Sequence, residues 1–210
     1  MRSNTISQLS NPQHYDGIDF HEQMEQAMDI FYNTFLEKSV KPEYNNKPIF
    51  FDMNKSYRNF TLPFPERFLH IVSMGKDDDQ FSMYPCQNDS ALERCETLCE
   101  KPSDYSEFQL LDRKECLYRL ERIHYIKQVI DFANKGNSHI TQWEQSDKDS
   151  RGQRVIKRFI RYHYGIDDYI IVFRDQGKNY YLLTAYPVVT RSKKEDYDKQ
   201  YLKYISKKTE

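Results

Sequence analysis

The order of hydrophobic patterns predicts an α+β protein, with N-terminal helices packed on a C-terminal four-stranded antiparallel sheet, a meander. Apolar residues recur at helical spacing over about 18–37 and 113–134, then give way to short β-branched and aromatic runs over 138–189 separated by turns. No internal repeat and no convincing linker divides the chain, so a single domain over 18–210 is the simplest account.

Residues 1–17 are polar and read as a flexible arm. A helix follows from about Ile18 to Glu37, its stripe formed by Met24, Ala27, Met28, Phe31 and Phe35. Lys47–Phe51 is a short strand candidate, and Arg67–Val72 is either a short helix or a strand. Residues 75–114 read as a long loop with one helix around 91–100. The next helix, about Arg113–Asn134, carries Cys116, Leu117, Leu120, Ile123, Ile126, Ile130 and Ala133, and Gly136 stops it.

Ser138–Glu144 is the first strand of the meander, and Arg154–Tyr162, with four cations, is the second. Tyr169–Phe173 is apolar throughout, as in a central strand. Asn179–Val189 alternates, placing Tyr180, Leu182, Thr184 and Tyr186 on one face and Tyr181, Leu183, Ala185 and Val189 on the other. Thr184 and Tyr186 then present two hydroxyls about 7 Å apart along the strand, a spacing that suits a phosphate. Arg158 and Arg161 point to opposite faces of a regular strand. Residues 193–208 form a polar helix.

The net charge of −1 hides a division. Residues 1–112 hold 10 Lys and Arg against 19 Asp and Glu, and residues 113–210 hold 21 against 13, so an acidic half precedes a basic one. A basic strand and helix suit a polyanion such as RNA. The polar N-terminus lacks the apolar core of a signal peptide and no apolar run approaches the roughly 18 residues of a membrane span, which predicts a cytoplasmic protein with reduced cysteines and no membrane partner. Cys86, Cys95, Cys99 and Cys116 are a candidate structural zinc set, although Cys116 also fits the apolar helix stripe. No phosphate-binding loop or dinucleotide fingerprint occurs.

Arg119-x-x-Arg122-Ile123-x-Tyr125-Ile126, Ile140-x-x-Trp143-Glu144, the basic strand, Tyr169–Val172 and Leu183-Thr184-Ala185-Tyr186-Pro187, in that order, resemble the barnase, EndoU, colicin and RelE-like superfamily of small RNases, as found in phage and toxin systems. Phe64–His70 resembles the segment that introduces an early histidine in some members. The resemblance implies an endoribonuclease of toxin or phage-defence type that needs no cofactor. A ribose 2′-hydroxyl of the RNA substrate would attack the adjacent phosphate, and a protein inhibitor would be a second partner. It assigns catalytic roles to His70, Arg119, Arg122, Arg158, Thr184 and Tyr186, and RNA contacts to Lys157, Arg161 and Trp143. His70, His124, His163 and Glu144 are the groups on offer for proton transfer. The competing expectation is a non-catalytic phage or mobile-element regulator that binds RNA or protein.

Overall fold

A computed structural model describes residues 8–15, 19–76, 103–149 and 151–209. Along the chain run helix α1 (Phe20–Phe31), continued by a π-helical turn (Tyr32–Leu36), then strands β1 (Glu43–Tyr44), β2 (Lys47–Phe50), β3 (Ser56–Tyr57) and β4 (Phe60–Thr61). Helix α2 (Glu66–Val72), strand β5 (Ser73–Gly75), helix α3 (Ser106–Leu110), strand β6 (Arg113–Glu115) and helix α4 (Leu117–Leu120) follow. The chain continues with α5 (Tyr125–Asn134), β7 (Ile140–Lys148), β8 (Arg154–Tyr164), β9 (Asp167–Asp175), β10 (Tyr180–Pro187) and α6 (Arg191–Thr209). These elements fall into two compact units, one made of 1–11, 41–50 and 125–210 and the other of 12–40 and 51–124.

The first unit corrects the predicted four-stranded meander. Its sheet has six strands in the order β1-β2-β10-β9-β8-β7, and it is mixed, because β2 runs parallel to β10 with Ile49 beside Tyr180. β7 to β10 do form the expected antiparallel run, but the N-terminal half of the chain supplies two further strands. The β1–β2 hairpin turns at Asn45 and Asn46, both left-handed at φ 49° and 58°, a backbone that Asn tolerates better than most residues.

Each sheet face carries a helix. On one face α5 buries Tyr125, Ile126, Val129, Ile130, Phe132 and Ala133, with Phe132 packed 5.7 Å from Tyr162 and Tyr125 packed 5.6 Å from Tyr169. On the other, Tyr197 of α6 closes a cluster of Trp143, Phe159, Ile170, Val172 and Val188. Trp143 lies flat on Phe159 with ring centres 4.9 Å apart. Beneath the start of α6, Arg161 is 3% exposed and grips the fully buried Asp168 carboxylate through Nε at 2.8 Å and Nη2 at 2.6 Å, while its Nη1 reaches Asp198 of α6 at 2.7 Å.

A second correction concerns β10. Leu182 lies opposite Phe173 and Thr184 opposite Val172, so Leu183 is an extra residue in the ladder. Such a bulge inverts the alternation beyond it. Thr184 and Tyr186 therefore share the α6 face, and Tyr180 and Leu182 lie on the other, rather than all four together.

In the second unit α1 starts at Asp19, whose carboxylate accepts from Glu22 N at 2.9 Å. Its stripe of Phe20, Met24, Ala27 and Phe31 is buried, and Phe31 contacts Phe35 and Phe51 at 4.9 and 5.1 Å. Residues 66–72 settle as a helix whose chain turns at once into β5, paired with β6 through Ser73 and Glu115. The single helix expected over 113–134 is instead β6, α4 and α5. Asp112 at φ 57° starts β6 out of a turn, and short backbone bonds from Arg122 and Ile123 to Arg119 and Leu120 tighten the chain before α5 begins. Of the residues expected to form an N-terminal arm, 8–15 are described, with Leu9 and Tyr15 buried.

Candidate functional site

The residues expected to act together are divided between the units. Arg158, Thr184, Tyr186, Lys157, Arg161 and Trp143 belong to the first, and His70, Arg119 and Arg122 to the second.

Within the second unit His70 and Arg119 do come together, at the C-terminal end of α2. Arg113 donates to Ser73 Oγ at 2.6 Å, to Ser73 O at 2.8 Å and to His70 O at 3.2 Å, and Arg119 donates to Ser73 O at 2.6 Å. Guanidinium donors at a helix C-terminus satisfy carbonyls that the helix leaves open. Burial, then the charges of Arg113, Arg67 and Arg119, push the His70 imidazole down to about 3. It is therefore neutral at neutral pH, with one ring nitrogen a donor and the other an acceptor. Arg122 is buried, stacked 3.4 Å above the Tyr118 ring, and donates to Tyr118 O at 3.1 Å. Two predicted phosphate ligands are thus built into the fold of their own unit.

In the first unit Trp143 is fully buried, and Arg161 is committed to Asp168 and Asp198. Neither is placed to touch RNA on the surface. Lys157 pairs with Asp147 at 2.5 Å on the β7–β8 hairpin. The Tyr186 hydroxyl is hydrogen-bonded to that of Tyr197, which belongs to α6, and Thr184 is half-buried on the same face. Arg158 lies on the opposite face of the sheet, because it pairs with Phe173 while Arg161 pairs with Ile170.

Around Arg158 the sheet assembles a second polar constellation, one that solvent reaches. Glu144 of β7 lies directly across from it, and the two side chains meet at 2.7 Å. Asp175 at the end of β9 is 3.8 Å from the same guanidinium and 3.3 Å from the ammonium of Lys47 on β2. Tyr44 and Tyr180, ring centres 5.2 Å apart, wall the cluster, and the Tyr44 hydroxyl donates to Gln142. Burial works against the charge of Arg158, but Glu144, then the hydroxyls of Tyr180, Tyr44 and Tyr204, outweigh it and hold its pKa above the ordinary arginine value. Burial likewise pushes the Tyr44 phenol up to about 12, so it stays protonated. Arg158 Nε has no hydrogen-bond partner, and Glu144 is 42% exposed, which leaves its carboxylate open to a ligand.

Sequence reasoning offered Glu144 for proton transfer but missed Lys47, Asp175 and Tyr44. The alternation of β7 and β8 could have paired Glu144 with Arg158, whereas nothing local to Lys47 signals that β2 joins the far end of the sheet.

Three of the four cysteines, Cys86, Cys95 and Cys99, lie outside the described residues. Cys116 is buried, and burial pushes its thiol pKa up. Among the described residues no group of three or more His, Cys, Asp or Glu is placed to hold a metal ion, and no helix is long and apolar enough to cross a membrane. No family model, curated protein or solved structure matches the chain.

Proposed function

We propose that the protein is an endoribonuclease acting without a metal, and that the Glu144–Arg158 pair on the sheet face is its centre. The observation that carries this reading is the direct cross-strand placement of a solvent-reachable carboxylate against a partly buried guanidinium, with the ammonium of Lys47 linked through Asp175. Glu144 takes the proton of the ribose 2′-hydroxyl. The 2′-oxygen then bonds to phosphorus, the bond from phosphorus to the 5′-oxygen breaks, and the ammonium of Lys47 protonates the departing oxygen. Arg158 stabilises the extra negative charge on the phosphoryl group, a task its planar donors suit. The unit that holds the cluster is also the basic one. It carries 20 Lys and Arg against 12 Asp and Glu, whereas the other carries 11 against 20. That field attracts a polyanion. A cytosolic location, and an acidic protein as inhibitor, belong to the same proposal.

The test is incubation of the purified protein with total RNA in chelator, followed by mapping of the ends. Products with 2′,3′-cyclic or 3′-phosphate ends are expected, with cleavage falling roughly 10²–10⁴-fold in Glu144→Gln and Arg158→Gln. Wild-type protein that leaves RNA intact, or undiminished cleavage by both variants, removes the mechanism. The excess of Lys and Arg over Asp and Glu in the same unit favours a second reading, non-catalytic RNA binding. It predicts salt-sensitive retention of RNA with no turnover.

A further inference from the structure

We propose that the groove between β4 and α3 binds a small amphiphilic amine, with Glu107 as counter-ion to its ammonium group. The groove, about 410 Å³, lies wholly within the acidic second unit, and Phe60, Leu62, Pro63, Leu110 and the carboxylate-bearing Glu107 are among its walls. That volume falls in the range of small-ligand sites, roughly 300–1,000 Å³.

Glu107 stands apart from the other buried carboxylates of the described residues. Glu115 accepts from Ser103 Oγ at 2.7 Å, Glu121 meets His14 at 2.8 Å, and Asp168 holds Arg161. Glu107 is only 8% exposed, yet its Oε2 has a single long contact to Ser106 Oγ at 3.4 Å and its Oε1 has no hydrogen-bond partner. A carboxylate removed from water without partners is costly, and a cation restores what it lacks. The residues lining the groove include no Lys, Arg or His. Phe60, also in the wall, is 57% exposed, and its ring offers an apolar surface and a face that attracts ammonium. A buried anion, an apolar wall and a net negative unit together select a cation with an apolar body rather than an anion or a sugar.

The probe is 2-phenylethylammonium, with 2-phenylethanol as the neutral isostere, titrated into the full chain by calorimetry and ligand-observed NMR. Saturable binding of the amine, binding weaker by roughly tenfold or more for the alcohol, and a similar loss for the amine in Glu107→Gln are expected. The variant should melt no lower than wild type, since it removes a charge that the free protein leaves unsatisfied. Phe60→Ala, at an exposed position, should weaken both probes. Equal affinity for amine and alcohol, amine binding unchanged in Glu107→Gln, no saturable amine binding by wild type, or a lower melting temperature for the variant each overturns the assignment.

Discussion

Asp168→Asn removes the charge at the root of α6 while keeping the shape of the side chain. In the native protein the Asp168 carboxylate is fully buried and receives two donors of Arg161, at 2.8 and 2.6 Å, with Lys194 at 3.9 Å. Removing one partner of a buried pair costs about 3–5 kcal/mol, because the remaining ion is stranded out of water. Here Asp198 still meets Arg161 at 2.7 Å, but it is 59% exposed and compensates weakly, so the low end applies, about 3 kcal/mol. For a chain of this length that corresponds to a fall of roughly 6–12 °C in melting temperature. The assay is urea unfolding followed by tryptophan fluorescence. Trp143 is the only tryptophan, and it sits 5.8 Å from the Tyr197 ring of α6, so it reports on this face alone. The double variant Arg161→Met/Asp168→Leu should recover most of the loss, since the ions that remain, Asp198 and Lys194, still reach water. A cost below about 1 kcal/mol for Asp168→Asn would refute the reasoning, because the pair would then be hydrated in solution.

Two further outcomes follow from local chemistry. The imidazole of His70 is held at about 3, below its ordinary value of 6.5, so between these values the unfolded chain binds a proton that the folded one refuses. This contribution to stability is complete above pH 6.5 and drains away as pH falls toward 3. His70→Gln should therefore flatten the fall of the urea midpoint across that window, and an unchanged profile counts against the burial of the ring beside these arginines. Asn46 turns the β1–β2 hairpin at φ 58°, and Asn46→Val should cost about 1–2 kcal/mol in urea titrations, since a β-branched residue is strained there.

The elements with strong local periodicity were legible in the chain. Met24, Ala27, Phe31 and Phe35 announced the first helix, though not that its last turn is π-helical, and the runs from Ile140 to Pro187 announced four antiparallel neighbours. What escaped is what depends on partners far away. A two-residue strand such as Glu43–Tyr44 carries no periodicity, and the parallel placement of Ile49 beside Tyr180 is a property of the folded sheet, not of either segment. The apolar stripe from Cys116 to Ala133 read as one helix because β6, α4 and α5 all bury residues, and burial without period does not reveal a break. At the site, the extra residue at Leu183 turned Thr184 and Tyr186 to the α6 face, which no alternation count could show. Glu144 and Arg158 were visible as residue types, and their partnership needed only the register of one hairpin.

The parallel seam between β2 and β10 has a consequence for how the protein comes into being. Its paired residues are about 130 positions apart in the chain, and the cost of closing so long a loop falls before any contact rewards it. During synthesis β2 leaves the ribosome long before its neighbour exists. Lys47 therefore reaches Asp175 only after β10 has been made, so a nascent or prematurely terminated chain can form the Glu144–Arg158 pair but not the whole polar cluster. A chain cut before Tyr180 should lack the Lys47–Asp175 contact, with the exposed edge of β9 as its main liability.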